Sequence, residues 1–217
     1  MALPRCLGIL MLDTRFPRLP GDVGHPASWS MPVRLRVVQG ASPLRVVQQA
    51  DTTLLEPFID AARALVAEGA AAITTSCGFL VRWQAELQAA LPVPVWTSSL
   101  LALPGLPRAG VLTVDAASFD GWLLHAAGAA ANVPVEGLAP GCSLQRTLLQ
   151  DLPELNAAIA EADTVAAAMR LVQHPARVDH IVMECTNLPP YAAAVQRATG
   201  RPVHHLMTLV HERWKSL

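Results

Sequence analysis

Two cysteines carry the chemistry this sequence offers. Cys77 follows Ile73-Thr74-Thr75-Ser76 and precedes Gly78-Phe79-Leu80, while Cys185 follows Ile181-Val182-Met183-Glu184 and precedes Thr186-Asn187-Leu188. In both stretches β-prone residues lead into the thiol and a helix-like segment comes next. Each sulfur is therefore expected at the C-terminal end of a strand, beside a helix N-terminus. Unpaired N–H groups there favour a thiolate, and in open α/β sheets that edge is where ligands sit. Two thiols, one per half of the chain, suit a reaction in which a proton leaves one face of a carbon and another arrives on the opposite face. Both partners titrate near pKa ~8.5, and the local field tunes each of them. A lone free cysteine is more often a small buried hydrophobe, which is the reading for Cys6 and Cys142.

Composition narrows the function classes. The 217 residues carry a formal net charge of −1 and are 52% hydrophobic. Near-neutrality gives no electrostatic reason to expect nucleic acid or an anionic membrane as partner. No apolar run approaches the ~18 residues of a membrane span. Leu7–Leu12 is shorter than a signal-peptide core, so it is expected to be the first strand of a cytoplasmic protein. The four cysteines form no C-x-x-C pair, so neither a structural zinc nor a disulfide framework is expected. The expectation is a small-molecule substrate with no metal and no cofactor; a homodimer is left open.

The elements that position the thiols repeat. Gly8-Ile9-Leu10-Met11-Leu12-Asp13 returns as Gly110-Val111-Leu112-Thr113-Val114-Asp115, and Pro32-Val33 returns as Pro134-Val135, both 102 residues on. Cys77 returns as Cys185, and Pro94-Val95 as Pro202-Val203, both 108 residues on. Anchors in the same order, with six residues gained, read as an internal duplication. The first copy is expected to run strand 7–12, a Pro- and Gly-rich loop 17–32, strand 33–38, a helix stopped by Gly69, strand 71–76, helix 79–90 and strand 93–97. Thr53 and Glu56 are spaced as that first helix's capping box. The second copy runs strand 110–114, helix 118–130, strand 133–138, helix 153–173, strand 179–184, helix 190–199 and strand 202–206. A last helix covers 207–216. This alternation predicts an α/β fold of two pseudo-symmetric parallel-sheet lobes, residues 1–99 and 100–206. The C-terminal segment 207–217 joins the first lobe, and the active site lies in the cleft between the two.

Together these features resemble the aspartate/glutamate racemase superfamily, which includes hydantoin racemases and related cofactor-free isomerases and decarboxylases. The resemblance spans essentially the whole chain. Cys185-Thr186-Asn187-Leu188-Pro189 is close to the family's C-T-H-Y-P, and Leu12-Asp13-Thr14 sits where glutamate racemases have an Asp-Ser pair. It implies Cys77 and Cys185 as the catalytic thiols, Asp13 as an accessory acid, and Thr14 and Thr186 as pocket donors. The activity implied is a cofactor-independent, two-cysteine racemase or epimerase acting next to a carbonyl or carboxylate, on an amino-acid derivative or hydantoin-like substrate. A cofactor-free isomerase or decarboxylase and a non-catalytic binding protein are the alternatives.

The chain also departs from that family. Gly78-Phe79 replaces an Asn-Thr pair that helps hold the carboxylate, Asn187 replaces a histidine, and Arg15-Phe16-Pro17-Arg18 replaces a Gly-rich tail. Substrate contacts are accordingly expected from Gly78, Phe79, Thr14, Arg15, Thr186 and Asn187, with Ser98 on the same edge. The Gly78-Phe79 wall is expected to leave room for a substituent larger than that of free aspartate or glutamate. His204 and His205 read as structural, and His25 shares the long loop with Arg18 and Asp22.

Overall fold

The computed structural model describes residues 5–217. Eight short strands build two parallel sheets. The first contains β1 (Cys6–Leu12), β2 (Val33–Val38), β3 (Ala70–Thr75) and β4 (Val95–Trp96), in the order β2-β1-β3-β4. The second contains β5 (Ala109–Thr113), β6 (Val135–Gly137), β7 (His180–Met183) and β8 (Val203–His205), in the order β6-β5-β7-β8. The fold is therefore a two-lobed α/β architecture, with the same strand order in each lobe.

The recurrent dipeptides have a physical role. Each Pro-Val opens an outer strand, and the proline carbonyl accepts a hydrogen bond from the neighbouring inner strand. The pairs are Leu7 N–H to Pro32, Ile73 to Pro94, Val111 to Pro134 and Ile181 to Pro202, all at 2.8–3.0 Å. Proline has no N–H to offer a ladder, so it fits the start of a strand at a sheet edge. The repeated glycines mark close helix packing. A β-carbon on Gly8 would lie 3.2 Å from Leu65 Cβ, and one on Gly110 would lie 2.9 Å from Leu171 Cδ1, each on a helix.

The helices are α1 (Leu55–Ala67), α2 (Gln84–Ala90), α3 (Gly121–Ala126), α4 (Ser143–Leu149), α5 (Ala157–Val172), α6 (Ala192–Thr199) and α7 (Leu206–Trp214). Several differ from the expected spans. No Thr53–Glu56 box forms, because the Asp51 carboxylate caps the Thr53 N–H and opens a 3₁₀ turn that leads into α1. Helix 79–90 starts as a 3₁₀ turn over Gly78–Trp83. Helix 118–130 shrinks to α3 behind an Asp120 cap. Residues 153–156 are not helical, since Asn156 caps α5, and the apolar residues before them form α4 instead.

Packing ties the halves together. One apolar cluster includes Leu10, Phe58 and Phe79 along with Leu112, Ile181 and Leu188. A second places Leu206, Leu209 and Val210 of α7 against Leu7, Ile9 and Trp96 of the first sheet. Among the described residues, no helix is long and apolar enough to cross a membrane.

Candidate active site

Both thiols leave the C-terminal ends of inner strands. β3 delivers Ser76 and Cys77, β7 delivers Glu184 and Cys185, and all four line one cavity of about 30 Å³. Leu12, Phe16 and Phe79 add apolar wall from the first half, Val114 and Leu148 from the second. Thr186 closes the seam: its hydroxyl donates to the Ser76 carbonyl at 2.6 Å. On the other side of β7, the Ser99 hydroxyl donates to the Met183 carbonyl at 2.7 Å.

The two sulfurs have different neighbours. The Cys185 thiol donates to Asn187 Oδ1 at 3.6 Å. That amide is oriented by the long loop, since its NH₂ donates to the Asp22 carboxylate. Asp22 is held in turn by the Arg18 guanidinium at 2.8 Å and the Gly24 N–H at 2.6 Å. An acceptor facing the sulfur keeps Cys185 as a thiol. Burial first, and the Glu184 carboxyl second, push its pKa well above the ordinary thiol range. The same two causes push Cys77 up, to about 12; a backbone N–H opposes the rise at each sulfur, from Phe79 at Cys77 and from Asn187 at Cys185, and at Cys77 the Arg82 and Arg18 charges oppose it as well. Cys77 is thus the easier of the two to ionise.

Glu184 lies between the two cysteines. It is 1% exposed. Its Oε2 accepts from the Thr113 hydroxyl at 2.7 Å, and its Oε1 has no hydrogen-bond partner. Burial pushes its pKa up to about 8. Burial thus favours the protonated form of all three acids, and among the described residues no Lys, Arg or His lines the cavity.

The residues singled out in the sequence fall into two groups. Cys77, Gly78, Phe79, Cys185, Thr186 and Asn187 line the cavity. Asp13, Thr14, Arg15 and Ser98 do not. The Leu12 N–H is taken by the Ser76 hydroxyl at 2.9 Å, and Asp13 beyond it turns its carboxylate to the Gly40 N–H, also at 2.9 Å. Thr14 accepts from Arg18 at 3.0 Å. Arg15 is exposed and grips Asp151 at 3.2 Å. Ser98 caps a 3₁₀ turn through the Leu100 N–H.

The room expected beside Gly78 is already taken. A β-carbon there would collide with the backbone and carboxyl oxygens of Glu184. Phe79 is fully buried and packs edge-on against Phe119, with ring centroids 6.0 Å apart. The histidines serve local structure: His25 caps the Ala27 N–H, His205 caps α7, and His204 pairs with His180 at 3.1 Å. Sequence reasoning missed Glu184 and named Asp22 and Arg18 only as members of the long loop, without a role. The available signal was a carboxylate ending an otherwise apolar strand, where burial without a charge partner points to function.

No family model matches the chain. It is 31% identical over 225 residues to dimethylsulfoniopropionate lyase 7 of Emiliania huxleyi (strain CCMP1516), covering 93% of this chain and 64% of that protein. It is 30% identical over 223 residues to the dimethylsulfoniopropionate lyase of Durusdinium sp. clade D, covering 91% of this chain and 70% of that protein. Two further Emiliania lyases are each spanned over 59% of their length. Among solved structures, allantoin racemase from Klebsiella pneumoniae matches with a TM-score of 0.68 at 14% identity, covering 97% of this chain and 87% of that one. Unliganded arylmalonate decarboxylase matches with a TM-score of 0.59 at 18% identity, covering 92% and 86%. These structural likenesses establish the fold, and the curated relatives establish kinship. The chain belongs to the dimethylsulfoniopropionate lyase family, on the fold of the Asp/Glu/hydantoin racemase superfamily.

Proposed function

We propose that the protein is a cofactor-independent lyase acting on a small zwitterionic sulfonium carboxylate such as dimethylsulfoniopropionate. The observation that carries this reading is the charge state of the cavity: a buried Cys77 at about 12, with no cationic side chain in the wall to ionise it. Such a thiol becomes a base only if the substrate brings the positive charge. A cation about 4 Å from the sulfur, at an effective dielectric constant of roughly 20, contributes about 4 kcal/mol, or about three pKa units. A dicarboxylate such as aspartate or glutamate would act in the opposite direction. The names of the curated relatives support the same substrate class.

The step balances without a cofactor. The Cys77 thiolate takes a proton from the carbon next to the carboxylate. The electron pair forms a C=C bond as the β-carbon–sulfur bond breaks onto sulfur. Neutral dimethyl sulfide and acrylate leave, and the proton stays on Cys77 until solvent removes it. A neutral leaving group needs no acid, so elimination uses one base.

Racemisation shares the first step and then returns a proton to the opposite face. The Cys185 thiol, held protonated by Asn187, is the observation that favours this second reading. One experiment separates them: incubation in D₂O with dimethylsulfoniopropionate and, separately, with chiral amino acids and hydantoins. Release of dimethyl sulfide and acrylate in equal amounts supports the lyase. No release, together with deuterium at Cα of a recovered chiral substrate, would replace it with an isomerase.

A further inference from the structure

Glu184 is unexplained by thiol chemistry alone. A buried carboxyl with an unpartnered oxygen is costly and is normally hydrogen-bonded on both sides. Here Thr113 holds one oxygen, and the other is buried beside Gly78 with no hydrogen-bond partner among the described residues. Gly78 keeps that arrangement possible, because any side chain there would strike the Glu184 oxygens. The carboxyl is fixed by a neighbour on β5, and space is reserved for it by the first lobe.

We infer that Glu184 is the recognition group for an onium centre, its buried carboxylate pairing with the cation of a small zwitterion. The inference rests on the zwitterionic reading above for the substrate's size and deepens it by naming the residue that selects the charge. Once the carboxyl is ionised, a buried oxygen without a partner calls for a hydrogen-bond donor or a positive charge. An onium carbon shell donates no conventional hydrogen bond, so the match is electrostatic: the carboxyl gives up its proton as the cation enters. Its charge acts on Cys77 and Cys185, which titrate higher; Arg18 and Arg82 act on Cys77, and Asp22 acts on Cys185. Glu184 is therefore the first of the cluster to ionise.

The test needs no chemistry at the substrate. Two probes of the same shape, 3-(trimethylammonio)propanoate and 4,4-dimethylpentanoate, differ by one positive charge, and neither carries a sulfide leaving group. Equilibrium binding to wild type should favour the cationic probe at least tenfold. In Glu184→Gln the ratio should fall to about one, with the neutral probe bound within twofold of wild type. If Glu184 were only a neutral donor, glutamine would keep that role and the ratio would not change; an unchanged ratio, or a wild-type preference for the neutral probe, overturns the inference. A second measurement uses wild type alone, so it does not depend on the variant folding. Calorimetry in buffers of different ionisation enthalpy should show close to one proton released per cationic probe bound at pH 7, and none for the neutral probe. Equal release for both probes overturns the inference as well. Failure to liberate dimethyl sulfide would count against the lyase and leave this charge preference standing.

Discussion

At the scale of residues, the two thiols are chemically distinct although their strands are equivalent. Each sulfur receives a backbone N–H, from Phe79 and from Asn187, but Cys185 also donates to an amide oxygen held by Asp22 and Arg18, whereas Cys77 has the Arg82 and Arg18 charges in its favour. Elimination onto a neutral sulfide needs only Cys77. Cys77→Ser should lower kcat by about 10²–10⁴-fold, the usual worth of a positioned base. Cys185→Ser should lower it less than tenfold. Both rates come from the initial release of dimethyl sulfide. Equal, near-total losses would instead match a mechanism that uses both sulfurs. Asn187 matters here because it takes the place of an ionisable histidine: an amide cannot titrate, so it fixes the thiol form across the working pH range.

At the scale of elements, the site depends on two strand ends meeting with almost no clearance. Gly78, just past β3, lies against Glu184, just past β7. Part of that contact is to backbone, which cannot rotate away. Gly78→Ala should therefore force the ends apart and cost about 1–3 kcal/mol, as overpacking does, with the loss read from the urea midpoint of unfolding. The strands themselves were legible in the sequence because their signals are local: Pro-Val opens each outer strand, and an apolar run leads to each cysteine. The helices were less legible. Asn156 reads as an ordinary polar residue until its side chain is seen capping two amides, so the helix looked to begin at 153, and α4 was not read at all.

The site divides along the same line. Cys77 and Cys185 announce themselves by repetition within the chain. Glu184 shows its importance only when the other lobe supplies Gly78 and closes off water. Asp13 was misleading because strand-end position alone does not say which way a side chain turns, and Ser76 takes the place it would have had.

At the scale of the whole molecule, the buried carboxyl couples the pocket to stability. Glu184 has a folded pKa of about 8 against an ordinary value of 4.5. Between those two pH values the unfolded chain has released a proton that the folded chain keeps, so this residue makes stability fall as pH rises. Asp51 and Asp179, held below the ordinary carboxylate value mainly by hydrogen bonds to Thr53 and to Arg177, act in a lower window. The gap in Tm between Glu184→Gln and wild type should therefore widen in favour of the variant from pH 5 to pH 8, measured by thermal unfolding in matched buffers; a constant gap would mean that the carboxyl is already ionised when folded. The seam that holds this pocket is also the seam through which one apolar core passes from half to half. Melting the molecule must therefore empty the site, and filling the site must delay melting. A ligand at a hundred times its Kd adds about 2.7 kcal/mol to the native state, which at this chain length corresponds to a rise of roughly 5–10 °C. Heat alone then becomes a gauge of occupancy, and a thermal survey of small zwitterions can find this protein's natural guest before any product of its reaction has been seen.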